Sequence, residues 1–163
     1  MGSRYFSHTE EFFVEADPEA VWRVLADPTA LAGSHPIEVK PEGHIALTAG
    51  DRWIESHRQC GCGGDDVIWT TLVAENPTTY VKRGRQAGTT MTDTVRLRPK
   101  GSGCILRNRL AFSPSFVGRF PEKLVTWRRI ATGKLPKMVV TEEFLDRFAC
   151  ILSEHLGCRV TRL

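Results

Sequence analysis

Apolar and polar residues alternate through "RYFSHTEEFFVEA" (Arg4 to Ala16), the period-two signature of a strand. The period then changes. In "DPEAVWRVLADP", Val21, Trp22, Leu25 and Ala26 fall on one helical face. Asp17 is a natural N-cap and Pro18 a natural first helical residue, whose missing N–H would be unpaired there anyway. Asp27-Pro28 repeats this start signal, which predicts a second short helix over "TALAGSH". Beyond it the period returns to two. Strands are predicted near Pro36–Lys40, Asp51–Arg58, Asp66–Glu75, Tyr80–Gln86, Thr90–Arg98 and Cys104–Ser113, divided by Gly- or Pro-containing turns. Short connections between consecutive strands imply an antiparallel meander. A short helix is expected from Pro121. "TEEFLDRFACILSEHLG" then reads as a long helix, capped by Thr141, stopped by Gly157, with Phe144, Leu145, Phe148, Ile151, Leu152 and Leu156 on its buried stripe.

Two hairpins can be registered. Pairing Arg98 with Gly103 across "RPKGSG" sets Leu97, Val95, Asp93 and Met91 opposite Cys104, Leu106, Asn108 and Leu110, leaving threonines and arginines on the reverse. In the second, Trp53, Glu55 and His57 face Thr71, Trp69 and Val67. Arg52, Ser56 and Arg58 then take the wet side, with Ile54, Ile68 and Leu72 also outward.

A chain of 163 residues, 41% hydrophobic and 25% charged, suits one soluble domain over residues 1–163. No apolar run approaches a membrane span, and "MGSRYFSHTEEFF" lacks the apolar stretch of a secretory signal. Five cysteines, an odd number without framework spacing, fit a reducing compartment, and a cytoplasmic location is expected. A net charge of +3 does not argue for nucleic acid. The excess is concentrated in residues 116–137, where Lys123, Arg128, Arg129, Lys134 and Lys137 surround Leu124, Val125, Trp127 and Ile130.

The stretch "HRQCGCGGDD" (His57 to Asp66) holds metal-ligand residue types. Structural zinc sites use cysteines two to four residues apart, whereas Cys60 and Cys62 are separated by one. No second cluster completes a ligand set, so the stretch reads as a hairpin turn. No metal and no cofactor are expected.

The order strand, two short helices, six strands, long C-terminal helix resembles the START-like (SRPBCC, helix-grip) superfamily, closest to its polyketide cyclase/dehydrase-type group. The resemblance rests on "VEADPEAVWRVLADP", "AGDRWIESHR", "VAENPTTYV" and "DTVRLRPKGSGCILRNRL", in that order, over Phe6 to Pro114 plus the last helix. It implies an α+β fold in which a curved antiparallel sheet of about seven strands grips the C-terminal helix and encloses a mostly apolar cavity. Such cavities hold lipids, polyketides, hormones or aromatic intermediates. The chain departs from the family in the length of its basic 116–137 segment, a lid or a docking surface, and in its "CGCGG" turn.

Within that frame the candidate ligand-binding residues are Trp53, Trp69, Met91, Asp93, Asn108, Leu110, Phe144 and Phe148, with Glu55 and His57 as a candidate acid–base pair. Each polar residue also has a structural reading: Asp93 and Asn108 can simply satisfy each other across the strands. Three functions are therefore open. They are a cyclase or dehydratase acting on polyketide-like substrates, a non-catalytic carrier or sensor, and a protein-interaction module with a filled core. The expected partner is a hydrophobic small molecule. The basic segment adds an acidic carrier protein by electrostatic steering, or an anionic membrane surface, the less favoured contact. Oligomeric state is not legible.

Overall fold

The computed structural model describes residues 6–30, 38–41, 48–56, 66–86, 89–114 and 142–163. Its strands are β1 (Phe6–Val14), β2 (Glu38–Pro41), β3 (Arg52–Ser56), β4 (Val67–Glu75), β5 (Thr79–Gln86), β6 (Thr89–Lys100), β7 (Gly103–Pro114) and β8 (Val160–Arg162). The helices are α1 (Pro18–Leu25) and α2 (Glu142–Leu156). The strands form one antiparallel sheet of eight in the order β2-β3-β4-β5-β6-β7-β1-β8. The meander and the helix-grip class are as expected, with one strand more than the seven anticipated. The addition is β8, which pairs with the outer edge of β1 through Phe12↔Arg162 and Val14↔Val160.

Local chemistry explains the helix starts. Asp17 adopts an extended backbone and its carboxylate accepts from Ala20 N–H at 2.8 Å, so one orphan donor of α1 is satisfied. Val21, Trp22, Leu25 and Ala26 are all buried, as the stripe predicts. Asp27 opens a turn by accepting from Thr29. The expected short helix over Thr29–His35, the helix from Pro121, the 116–137 segment and the His57–Asp65 turn all lie outside the described residues, apart from the start of the first.

Both registered hairpins differ from expectation by two residues. In β6–β7, Lys100 pairs with Gly103, and Leu97 faces Leu106 rather than Cys104. The turn is the two-residue Gly101-Ser102, whose first position has φ +59°, the left-handed conformation that tight hairpins require. In β3–β4, Trp53 faces Trp69 and Glu55 faces Val67. A slip of two leaves every side chain on its predicted face, because the pleat repeats every two residues. Ser56 keeps its outer face but, expected wet, is buried there, and its hydroxyl donates to Asp66 at 2.8 Å.

The core lies between the inner sheet face and the two helices. Phe12, Val14, Trp53, Trp69, Tyr80, Val95, Leu97, Cys104 and Leu106 supply the sheet side, with Trp22 of α1 and Leu145 and Leu152 of α2 above them. Phe148 of α2 is half-buried, its ring 5.4 Å from that of Phe12. No described helix is long and apolar enough to cross a membrane.

Candidate functional site

Strand parity places an unexpected group on the inner face. In β5, Tyr80 and Gly84 are buried, so Lys82 between them also points inward. Gly84 makes this possible. A Cβ there would lie 2.9–3.0 Å from three ring carbons of Trp69, so only glycine lets that indole lie over β5. Trp69 stacks near Trp53, ring centroids 6.4 Å apart and planes 21° apart. The Lys82 ammonium sits over both rings, Nζ 4.5 Å from the Trp69 centroid and 5.7 Å from that of Trp53.

Carboxylates complete the arrangement. Lys82 Nζ is 3.6 Å from Asp93 Oδ2, and Asn108 Nδ2 donates to Asp93 Oδ1 at 2.7 Å. Trp53 Nε1 donates to Glu55 Oε1 over a long 3.4 Å. Tyr80 hydroxyl lies 3.4 Å from Thr71 Oγ1, and Trp22 packs edge-on against the tyrosine ring. On β1, Glu10, registered opposite Asn108, accepts from Arg162 at 2.9 and 3.0 Å and contacts His8 at 2.6 Å. A polar band therefore crosses the inner face from β1 through β7, β6 and β5 to β3, with Phe12, Val95 and Leu106 on one side and Met91 and Phe112 on the other.

Electrostatics decide what the band can do. Burial would lower the Lys82 pKa, but the charges of Asp93 and Glu55 outweigh it and hold the ammonium above its ordinary range. Burial pushes the Asp93 carboxyl up, and Lys82 and Asn108 offset this only in part. The two directions are compatible, because Glu55 adds a second negative charge that favours both the Lys82 proton and a proton on Asp93. We take Lys82 as the charged member. Burial likewise raises Tyr80 and keeps it a neutral phenol. For Glu10, burial opposes ionisation, yet the hydrogen bonds from Arg162 and His8 prevail and hold its carboxyl below the usual value.

Of the sequence-predicted residues, Trp53, Glu55, Trp69, Met91, Asp93, Asn108 and Leu110 all lie on this one face, with Phe148 above it. His57 and the Phe144 side chain lie outside the described residues. Lys82, Tyr80 and Glu10 are not singled out by sequence reasoning. The signal for Lys82 is present in the alternation of "TYVKRGRQ", where it shares parity with Tyr80 and Gly84. Among the described residues the buried Trp69 indole Nε1 has no hydrogen-bond partner, a donor placed among these groups at a cost of about 1–3 kcal/mol. Among the described residues no group of three or more His, Cys, Asp or Glu could hold a metal ion.

Comparison with known proteins agrees with the architecture. No curated protein matches the sequence. Norcoclaurine synthase from Thalictrum flavum superposes with a TM-score of 0.64 at 14% identity, over 94% of each chain. Ara h 8.0201 does so with a TM-score of 0.62 at 12% identity, over 94% of this chain and 99% of its own. Protein CV1439 from Chromobacterium violaceum gives 0.55 at 20% identity, over 90% and 96%. At these identities the likeness is one of fold. The sequence itself carries the assignment: residues 6–149 match the model described as "Polyketide cyclase / dehydrase and lipid transport", and the chain belongs to that family.

Proposed function

We propose that the protein binds a hydrophobic, aromatic or carbonyl-bearing small molecule between the inner sheet face and α2, oriented by the polar band. The carrying observation is the charged Lys82, 4.5 Å from the Trp69 ring centroid and 3.6 Å from Asp93, in a polar band flanked by apolar side chains. An ammonium has three donors, and a 3.6 Å contact to one carboxylate leaves capacity for a ligand oxygen. Apolar walls with a few convergent polar groups are the usual design of a small-molecule site. Support also comes from the T. flavum norcoclaurine synthase solved in complex with dopamine and hydroxybenzaldehyde, both aromatic, in the same fold.

The same groups supply an acid and a base, which brings cyclisation or dehydration within the proposal. Glu55, with His57 beside it in sequence, takes a proton from the carbon next to a substrate carbonyl. Lys82 hydrogen-bonds the oxygen as it gains charge. The resulting carbanion adds to a second carbonyl, forming a C–C bond, and the new alkoxide takes a proton from Lys82. Asp93 and Asn108 orient the carbonyls. The Glu55 proton then returns to Lys82, restoring carboxylate and ammonium; Glu55 removes the remaining C–H proton beside the carbonyl while Lys82 protonates the departing hydroxyl, which leaves as water. Delivery of such a substrate by an acidic carrier protein docking on the basic 116–137 segment belongs to the same reading.

Binding is tested by titrating the protein with 1-anilinonaphthalene-8-sulfonate while following tryptophan fluorescence. Saturable quenching is expected, weakened about tenfold by Trp69→Ala. Absence of saturable binding overturns the proposal. Catalysis is tested separately with an aldol-competent diketone: Glu55→Gln should abolish turnover in a protein that still melts cooperatively. Unchanged turnover removes the chemistry and leaves the second reading, a carrier.

A further inference from the structure

The opposite face of the sheet carries its own recess, of about 270 Å³, lined by Arg52, Ile68, Thr70, Leu72, Arg83 and Arg85. Strand register explains its shape. Ile68, Thr70 and Leu72 are the outward residues of β4 and form the floor. Thr70 is registered opposite Arg52 of β3 on one side and Arg83 of β5 on the other, and Ile68 opposite Arg85. Adjacent strands lie about 4.8 Å apart, so the Arg52 and Arg83 backbones stand about 10 Å apart with the Thr70 hydroxyl between them. Two guanidinium groups on such a baseline can close on one anionic group from both sides. Ile68 is 37% exposed and offers an apolar surface within the recess. Among the described residues no carboxylate lies within ion-pair distance of Arg83 or Arg85. Their neighbours on the next strand are Thr92 and Thr90.

We propose that this outer recess is a second binding site, separate from the inner one, for a small amphiphilic anion. Its carboxylate or phosphate sits over Thr70 between Arg52 and Arg83, and a short apolar body lies on Ile68 or Leu72. Arginine suits planar, bidentate capture of such groups. The volume is near the lower bound for ligand pockets, which selects a compact molecule over a lipid chain. Among the described residues no aromatic side chain lines the recess to stack a nucleobase.

The test is an ¹H–¹⁵N NMR titration of the whole protein with 4-tert-butylbenzoate, with neutral 4-tert-butylbenzamide and inorganic phosphate in parallel. Saturable shifts confined to residues 52, 68–72 and 83–85 are expected for the benzoate, with the benzamide at least about tenfold weaker. Inorganic phosphate, lacking the apolar body, should also bind more weakly. Arg83→Gln should weaken the benzoate about tenfold while leaving the melting temperature unchanged, because the side chain lies on the outer face. Equal affinity for benzoate and benzamide overturns the proposal. So does absence of saturation, or a shift pattern centred on Trp53, Trp69 and Lys82, which would instead report the inner site.

Discussion

Replacing Lys82 by Met gives the sharpest test of the inner polar band. The substitution keeps most of the length of the side chain and an apolar contact with the indole rings but deletes the cation. Asp93 is then left with Asn108 as its neutral partner and with the repulsive charge of Glu55. Breaking a buried pair by removing one member costs about 3–5 kcal/mol. Here the two side chains retain 20% and 16% exposure, so solvent relieves part of the loss and about 2–3 kcal/mol is expected at neutral pH. For a chain of this size that is a fall in Tm of about 5–10 °C. The pH dependence gives the signature. In the variant the folded-state pKa of Asp93 is raised further above its unfolded value, so the deficit is absent below the unfolded pKa and develops as pH rises through the folded one. Urea denaturation of wild type and variant, compared at each pH, should therefore show a large difference at pH 7 and a small one at about pH 3.5. Adding Asp93→Asn, which keeps an acceptor for Asn108, should restore most of the loss. An equal deficit at both pH values, or no rescue by this second substitution, would refute the electrostatic account.

Other perturbations probe the rest of the site. Gly84→Ala should displace the Trp69 indole and cost about 1–3 kcal/mol, visible as a lower Tm and an altered near-ultraviolet circular dichroism spectrum. An unchanged spectrum would contradict the packing. Glu10→Gln should weaken the attachment of β8, speeding amide exchange at Thr161 and costing about 1–3 kcal/mol. Because the Glu10 carboxyl is held low, the wild-type advantage should be full above the ordinary carboxylate range and disappear as pH falls through its lowered value. Cys104 has no exposed surface and its thiol is pushed up to about 11, so iodoacetamide near pH 8 should modify exposed Cys150 and spare Cys104 until the protein unfolds, as read by peptide mass mapping.

What the chain discloses about itself follows from which periodicities survive error. Alternation assigns Trp53, Glu55, Trp69, Asp93 and Asn108 to the inner face whichever of the two registers holds, because an even slip does not exchange the faces of a sheet. Turn length was the weak point. The six residues of "RPKGSG" do not show how far the ladder runs, and in the fold it continues through Pro99 and Lys100 to a two-residue loop. Strand β8 escaped because three residues, Val160 to Arg162, are too few to display alternation. Lys82 escaped for a different reason. A lysine in a strand is by default assigned to water, and only its neighbours two positions away, together with distant Asp93 and Glu55, make an inward ammonium tolerable. Ser56 shows the converse, a polar residue on the outer face that is covered, its hydroxyl satisfied by Asp66.

The arrangement around β1 has a consequence for how the molecule assembles. Phe12 is registered with Leu106 on one side and with Arg162 on the other, so β1 waits for β7 and β8, both far later in the sequence, before either of its edges is satisfied. Contacts so remote in sequence delay folding through the entropy of closing long loops. Until β7 and β8 have followed it, β1, with its two adjacent phenylalanines, therefore remains an open edge exposed to mispairing with other extended segments.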